Sequence, residues 1–203
     1  MISKNRFAGF FTLALLLTLA GLFSFRATAQ TLTGEQIVAR VAPSVAVVLV
    51  GDEAGGVSKV GSGVFVRADG VLLTAYHLVK DAKSVQVRLK SGDVFDKVSL
   101  LGVDERRDVA ALKIQAADLP VLPVVSIDEL KAGEAVYVVS HPTGLVWSSA
   151  NGILSAVRLA DEVPGAGQGF RVIQFTAPVS DGSSGGVLVD AQGRAAGIVI
   201  GRL

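Results

Sequence analysis

Two adjacent serines in a glycine-rich stretch are the residues of this sequence best suited to nucleophilic chemistry. The stretch VSDGSSGGVLVD spans residues 179–190 and places Ser183 and Ser184 between glycines, ahead of an apolar run. Glycine neighbours leave backbone N–H groups accessible, and such groups stabilise the negative oxygen that forms during acyl transfer. The pattern predicts Ser184 as a nucleophile, with an oxyanion pocket formed by Gly182, Ser183 and Ser184. A glycine-rich hairpin with incidental serines is the simpler alternative.

The order of residues along the chain excludes one class of serine hydrolase. GSSGG at residues 182–186 matches the nucleophile pattern of α/β-hydrolases, in which the acid and the histidine follow the serine. No histidine follows Ser184, because the two histidines of the chain are His77 and His141. The order His, Asp, Ser of the chymotrypsin-type arrangement remains compatible with the sequence.

His77 and Asp108 are the candidates for a general base and its partner. His77 follows the strand-like run VLLTA, where rigid backbone would fix the ring, whereas His141 precedes a proline and is expected on a turn. Asp108 directly precedes the apolar run VAALKI, and Asp104 is more typical of a solvated turn. We therefore predict a set of His77, Asp108 and Ser184. The alternative is that both histidines are surface or core residues.

The elements that must position these residues are mostly strands. Short runs rich in β-branched residues recur from residue 45 onward, about ten in all, separated by glycines and polar turns. Hairpin turns are predicted at Asp69-Gly70 and at Gln192-Gly193. A short amphipathic helix capped by Thr33 is predicted before the first strand. The pattern indicates an all-β sandwich or barrel rather than a parallel α/β sheet.

The first thirty residues are typical of a secretory signal. Lys4 and Arg6 precede an apolar block at residues 7–25, and a small-residue ATA motif ends at Ala29. The sequence predicts a signal peptide over residues 1–29. The alternative is an uncleaved membrane anchor, since the apolar block is close to the length that spans a bilayer. Both interpretations take the protein across the inner membrane, into the periplasm or out of the cell.

Composition and charge exclude several function classes. Removal of the predicted signal takes away three basic residues and no acid, so the formal net charge changes from +1 to −2. A nearly neutral chain without long basic runs is not expected to bind nucleic acid. Cysteine is absent, which excludes disulfides and thiolate metal sites, and neither a metal nor another cofactor is expected.

Several segments together resemble the HtrA/DegP family of trypsin-like serine proteases. They are EQIVARVAPSV (35–45), GSGVFV…DGVLLTAYHLVKDA (61–82), DERRDVAALKI (104–114), SHPTGLVWSSANGILSAVRL (140–159) and VIQFTAPVSDGSSGGVLVDAQGRAAGIV (172–199). The resemblance implies an all-β fold of two packed antiparallel barrels of chymotrypsin type with a short N-terminal helix. It implies a protease domain at 30–203, with barrels at about 44–115 and 135–203. The segment at about 116–134, with two prolines and no clean strand period, is the expected linker. The PDZ domain that is usual in the family is not expected in this sequence.

The resemblance also implies roles for individual residues. His77 would be the general base, Asp108 its orienting partner and Ser184 the nucleophile of a serine endopeptidase that cleaves unfolded or misfolded envelope proteins. Pro178 lies six residues before Ser184, where enzymes selective for Lys or Arg carry an acid. We therefore expect no requirement for a basic residue at the cleaved position. The oligomeric state is left open.

Departures from the family pattern leave a second function open. Asp181 and Ser183 stand where the family usually has Pro and Asn, and a carboxylate beside the oxyanion pocket would lower activity. The family usually has one more strand beyond GIVIGRL, so the second barrel is expected to lack its last strand or to close differently. The alternative function is a catalytically weak, protease-like module that binds misfolded chains.

Overall fold

Two antiparallel β-sheets and a few short helices make up the described part of the protein, residues 32–201 of a computed structural model. The predicted signal segment at 1–29, and its alternative as an anchor through 7–25, lie outside these residues. Within residues 32–201, no helix is long and apolar enough to cross a membrane.

The predicted N-terminal helix is α1 (Gly34–Val41). Thr33 caps it reciprocally: the Thr33 hydroxyl accepts from the Gln36 N–H at 3.2 Å, and the Gln36 side chain accepts from the Thr33 N–H at 2.9 Å. Ile37 and Val41 lie on one face and are fully buried. A single 3₁₀ turn that contains Pro43 ends the helix and leads into the first strand.

The first sheet has seven strands in the order β5-β4-β1-β2-β3-β7-β6. They are β1 (Val45–Gly51), β2 (Val57–Arg67), β3 (Val71–Ala75), β4 (Ser84–Arg88), β5 (Val94–Phe95), β6 (Ser99–Asp104) and β7 (Val109–Lys113). The one-turn helix α2 (Tyr76–Val79) follows β3 directly. Because β3 pairs with β7 and Ala75 lies opposite Val109, the end of β3 and the start of β7 are adjacent.

The second sheet has five strands within the described residues, in the order β10-β9-β8-β11-β12. They are β8 (Ala135–Ser140), β9 (Ser148–Leu159), β10 (Arg171–Phe175), β11 (Val187–Asp190) and β12 (Ala195–Ile198). Antiparallel pairing of β2 with β3 and of β11 with β12 confirms the predicted hairpin turns at Asp69-Gly70 and Gln192-Gly193.

Three apolar clusters hold these sheets together. One lies within the first sheet and includes Phe65 and Leu72, and another lies within the second sheet and includes Leu154 and Leu188. The third joins the sheets and α1, with Ile37 and Val41 from α1, Val45 and Val64 from the first sheet, and Val139 and Val187 from the second. Burial of this third cluster fixes the two sheets against each other, and with them the residues at their shared boundary.

The segment between β7 and β8 contains the predicted linker at 116–134. It is fastened to the second sheet, because the Val125 N–H donates to the Ala195 carbonyl at 3.0 Å and the Ala195 N–H donates to the Pro123 carbonyl at 2.7 Å. Leu122 and Val125 are buried. The segment therefore packs as part of the folded domain.

Candidate active site

His77 and Asp108 are held together by neighbouring strands of the first sheet. Asp108 immediately precedes β7, and His77 is the second residue of α2, which follows β3. The Asp108 carboxylate accepts two hydrogen bonds from His77: one from the backbone N–H at 2.8 Å and one from the ring Nδ1 at 2.5 Å. The Asp108 carbonyl also accepts from the Tyr76 N–H at 2.9 Å. These bonds fix the imidazole ring in one orientation.

The other acid considered for this position points away. The Asp104 carboxylate accepts from the Arg107 backbone and side chain, and its pKa is lowered by the side-chain hydrogen bond to Arg107. Asp104 therefore belongs to a local turn, and Asp108 is the acid that the structure places on His77.

Ser184 reaches the same histidine from the second sheet. Its Oγ lies 3.1 Å from His77 Nε2, so the three predicted residues form a continuous chain of hydrogen bonds. The Ser184 carbonyl accepts from the Ser62 N–H of β2 at 2.8 Å. Ser184 lies in the loop between β10 and β11, residues 176–186, here called the serine loop. The bond ties this loop to the first sheet, across the boundary between the two sheets.

Two glycines allow the serine loop to approach its surroundings closely. Gly182 has a φ of +89° and Gly185 a φ of +82°, both in the left-handed region that favours glycine. A Cβ on Gly185 would collide with the Ser62 carbonyl oxygen, and a Cβ on Gly182 would collide with the His141 carbonyl oxygen. Larger residues at either position would push the loop away from the first sheet or from the turn at His141.

The backbone N–H groups of the serine loop divide into two kinds. The Ser183 N–H donates to the Ser180 carbonyl at 2.9 Å and so is used within the loop. Among residues 32–201, no hydrogen bond in the structure uses the N–H of Gly182 or of Ser184. Of the three residues predicted to form an oxyanion pocket, Ser183 is thus the one whose N–H is engaged elsewhere.

The Ser183 hydroxyl is buried and has hydrogen-bond partners in the interior. Its Oγ lies 3.2 Å from the Ser140 Oγ, which donates to it, and 3.2 Å from the Ser180 N–H. Ser183 is 1% exposed. The residue therefore braces the serine loop from behind, against the end of β8.

A cleft opens beside Ser184 at the junction of the two sheets. It is lined by β2, α2, the turn after β8 and the serine loop, through Ser58, Lys59, Val60, His77, Leu78, Thr143, Gly144, Asp181, Gly182 and Ser184. Asp181 is exposed and lines this cleft with the candidate nucleophile. Pro178 is exposed and is not part of this lining. No group of three or more metal-ligating side chains occurs within residues 32–201.

His141 lies on a turn, as predicted, but in an interior position. It is 0% exposed, and its ring meets the Trp147 ring edge-on with centroids 5.2 Å apart. Burial, and secondarily the positive charge of Arg88, lowers the pKa of His141 to about 4. The imidazole is therefore neutral at neutral pH. The structure does not bring it to Ser184, so the two histidines have different environments.

The contacts of Ser62 were not predicted from the sequence. Its side chain bonds to His141 and to the Gly182 carbonyl, directly behind the serine loop. The only sequence signal is a serine flanked by two glycines in the GSG of residues 61–63, and this pattern does not indicate a partner more than a hundred residues away.

Serine proteases are among the known proteins with similar sequences. Residues 61–198 match the family described as trypsin-like peptidase domain. Serine endoprotease DegS of Haemophilus influenzae is 37% identical over 145 residues, which cover 70% of this chain and 41% of that protein. The protein named "Probable periplasmic serine endoprotease DegP-like" of Pseudomonas fluorescens is 37% identical over 148 residues, which cover 73% of this chain and 30% of that protein.

A solved structure gives the same relationship. The HtrA-type protease AlgW with a tripeptide matches with a TM-score of 0.73 at 32% identity, covering 80% of this chain and 52% of that chain. The chain spans between 30% and 41% of the length of the two curated relatives named above. The match confirms the predicted all-β fold of chymotrypsin type and the similarity to HtrA proteases. With the match over residues 61–198, the chain belongs to the family of trypsin-like peptidase domains.

Proposed function

We propose that this chain is a serine endopeptidase in which Ser184 is the nucleophile, His77 the general base and Asp108 its orienting partner. The observation that carries the proposal is that the His77 ring is hydrogen-bonded to Asp108 on one side and to Ser184 on the other. His77 Nδ1 lies 2.5 Å from the Asp108 carboxylate, and His77 Nε2 lies 3.1 Å from Ser184 Oγ. With the proton on Nδ1, the lone pair of Nε2 faces the serine hydroxyl.

In the first half of the reaction, a peptide bond is exchanged for an ester. Ser184 Oγ bonds to the carbonyl carbon of the substrate while its proton passes to His77 Nε2. The carbonyl oxygen becomes negative in the tetrahedral intermediate. His77 then donates the proton to the departing amine nitrogen as the C–N bond breaks, leaving the acyl group on Ser184. The Asp108 carboxylate stabilises the positively charged imidazole between these two transfers.

In the second half, water replaces the amine. His77 Nε2 accepts a proton from a water molecule as its oxygen bonds to the ester carbon. Collapse of the second tetrahedral intermediate breaks the bond to Ser184 Oγ, and His77 returns the proton to that oxygen. The carboxylic acid product leaves and the starting state is restored. These steps use the side chains of this chain and water.

Two backbone N–H groups are proposed to stabilise the negative oxygen. The N–H groups of Gly182 and Ser184 take part in no hydrogen bond of the described residues, whereas the N–H of Ser183 is used by Ser180. We therefore assign the oxyanion pocket to Gly182 and Ser184 and give Ser183 a bracing role. Donors that are already in position need no reorganisation when charge develops, which is why such pockets lower the barrier strongly.

The proposed substrates are unfolded or misfolded polypeptides of the cell envelope. The resemblance to the HtrA/DegP family implies these substrates. The similarity to a serine endoprotease and to a DegP-like endoprotease named as periplasmic supports endopeptidase activity and a periplasmic location. The predicted signal at residues 1–29, or anchor at 7–25, supplies the route. The proposed domain covers 30–203. Pro178, in place of an acid, supports cleavage without a basic-residue requirement.

A serine-reactive probe and an unfolded substrate test the proposal together. We expect the purified protein to be labelled by a fluorophosphonate and to cleave casein, and the Ser184→Ala variant to do neither. Ser91→Ala is the control, because Ser91 is an exposed serine that bonds to Asp93 near β5. If wild-type protein neither labels nor cleaves, or if Ser184→Ala labels equally, the proposal is wrong.

The position of Asp181 favours a second candidate function, a catalytically weak module that binds misfolded chains. Asp181 is exposed and lines the cleft that contains Gly182 and Ser184. A negative charge there opposes the charge that forms on the substrate oxygen. A protease-like module that holds misfolded chains would bind an unfolded client equally well as wild type and as Ser184→Ala. It would show no turnover in either form.

A further inference from the structure

Ser62 is fixed from several sides at the junction of the two sheets. It lies in the middle of β2 and is 0% exposed. Its carbonyl accepts from the Thr74 hydroxyl of β3 at 2.6 Å, and its N–H donates to the Ser184 carbonyl at 2.8 Å. The backbone of Ser62 therefore already joins the first sheet to the serine loop.

The Ser62 hydroxyl has three partners, and only one arrangement of protons satisfies all of them. Its Oγ lies 3.0 Å from the His141 backbone N–H, 2.9 Å from His141 Nδ1 and 2.9 Å from the Gly182 carbonyl oxygen. A carbonyl only accepts, so the hydroxyl proton must go to Gly182. A backbone N–H only donates. Nδ1 must therefore also donate, which requires the His141 tautomer with a proton on Nδ1.

The peptide group between Asp181 and Gly182 is held by the turn that begins at His141. The Thr143 N–H of this turn donates to the Asp181 carbonyl at 2.7 Å. In a planar trans peptide the C=O and N–H groups point in opposite directions. The Asp181 carbonyl and the Gly182 N–H belong to one peptide group, so holding this carbonyl toward Thr143 directs the Gly182 N–H away from the turn. The next peptide group is held by Ser62, whose hydroxyl donates to the Gly182 carbonyl.

We propose that Ser62 and His141 are positioning residues, which fix the Gly182 peptide groups so that the Gly182 N–H faces the negative oxygen of the reaction. The inference rests on the proposed serine peptidase function and adds two residues to it. Neither residue touches substrate. His141 sets the direction of the Ser62 hydroxyl, and Ser62 clamps the Gly182 carbonyl from the opposite sheet.

The surroundings of His141 support the required proton arrangement. Its Nε2 is buried and has no hydrogen-bond partner among the described residues. A proton there would be a buried donor with no acceptor among the described residues, whereas a proton on Nδ1 is donated to the Ser62 hydroxyl. Burial, together with Arg88, lowers the pKa of the ring to about 4, so the ring is neutral at neutral pH and carries a single proton, which the contacts of Ser62 assign to Nδ1.

Steady-state kinetics on a peptide substrate test the positioning role. We expect Ser62→Ala and His141→Leu to lower kcat by roughly 10- to 100-fold with KM within about twofold, because a misdirected oxyanion donor weakens binding of the transition state more than of the substrate. His141→Asn should retain kcat within about fivefold, since its side-chain amide can place an N–H near the position of Nδ1.

Ser44→Ala is the matched control. Ser44 is also a buried serine, 1% exposed, and its hydroxyl has no partner among the described residues. The substitution removes the same atom from the interior without touching the serine loop, so kcat should stay within about twofold. Thermal unfolding of every variant identifies any loss of kcat that comes from loss of folded protein.

Nitrogen-15 NMR of the histidine rings gives a readout that is independent of activity. The expected result is a His141 ring protonated on Nδ1 in wild type, with the Nδ1–H signal lost or shifted in Ser62→Ala. A wild-type ring protonated on Nε2 overturns the inference. So does a folded Ser62→Ala and His141→Leu pair whose kcat stays within twofold of an active wild type. If wild type has no activity at all, the proposed function fails, and the positioning role fails with it.

Discussion

Each of the two histidines lies in a short segment directly after a strand and forms a hydrogen bond through Nδ1, but the two rings differ in exposure and in what faces Nε2. The segments are called the His77 turn (residues 76–79) and the His141 turn (residues 141–144). His77 follows β3 and His141 follows β8, and each ring is oriented through its Nδ1. The partner of His77 is a carboxylate, and its Nε2 faces Ser184 Oγ in a side chain that is 50% exposed. The partner of His141 is a hydroxyl, and its Nε2 is buried without a partner among the described residues.

The difference shows that the partner and the exposure of the ring decide what a histidine does. A carboxylate on Nδ1 stabilises the protonated ring, which a base needs when it accepts a proton. A hydroxyl on Nδ1 offers no such charge, and a buried Nε2 has nothing from which to take a proton. We therefore expect the His77 turn to control proton transfer and the His141 turn to control the shape of the serine loop.

The largest expected effect comes from removing the negative charge of Asp108, the partner of His77. Asp108→Asn should lower kcat by about 1,000-fold or more, because the neutral amide no longer favours the correct tautomer or the protonated form of His77. Asp104→Asn is the matched control: Asp104 lies four residues earlier and pairs with Arg107, so kcat should be unchanged within about twofold. Equal losses in the two variants would contradict the assignment of Asp108. The measurement is kcat on a peptide substrate.

The next effect tests the close contact between the His141 turn and the serine loop. Gly182→Ala should lower the free energy of unfolding by about 3 kcal/mol, because a left-handed φ and a collision with the His141 carbonyl act together. Gly133→Ala has a φ of +88° but open space around the new Cβ, so it isolates the cost of the φ alone, about 1 kcal/mol. Urea unfolding of both variants gives the comparison. Equal destabilisation would show that the contact with His141 is loose.

The pH dependence of stability separates the two turns further. His141 has a folded pKa of about 4, below its usual value of about 6.5, so the unfolded state binds a proton more readily. The free energy of unfolding should therefore fall as the pH drops from about 6.5 toward 4, by up to about 3 kcal/mol from this group. His141→Asn should remove this part of the loss. Urea unfolding at pH 7 and pH 4.5 measures it, and parallel curves for wild type and variant would contradict it.

The smallest expected effect concerns the cleft itself. Asp181→Asn should raise kcat by about two- to fivefold, because it removes a negative charge from the lining of the cleft beside Gly182 and Ser184. The gain should shrink at high ionic strength, where an exposed charge is screened. An unchanged kcat at low and high salt would show that the carboxylate does not influence the oxyanion.

The sequence was sufficient to predict elements whose signals are local. The capping residue Thr33, the Asp69-Gly70 turn and the apolar run after Asp108 are read within a few positions, and the structure contains each of them. The reciprocal bond from Gln36 was not predicted. The order of His77, Asp108 and Ser184 was informative because one fold requires that order. The division into 30–203 and a signal at 1–29 remains a prediction.

The remaining features depend on contacts between distant parts of the chain. Ser62 and Gly182 are 120 positions apart and meet because β2 faces the serine loop across the sheet boundary. The His141 ring packs against Trp147, and the charge of Arg88 helps to lower its pKa; no local pattern connects either residue to His141. The oxyanion pocket was predicted from glycines alone. The use of the Ser183 N–H by Ser180 became visible only with the loop folded.

The most direct measurement is to locate the fluorophosphonate on the chain by mass spectrometry, in wild type and in one variant of each histidine. Labelling is expected on Ser184 in wild type, to be reduced by at least about 1,000-fold in His77→Ala and to stay within about fivefold of wild type in His141→Asn. Label on another residue, or equal labelling in His77→Ala, would contradict the assignment of Ser184 and His77 as nucleophile and base.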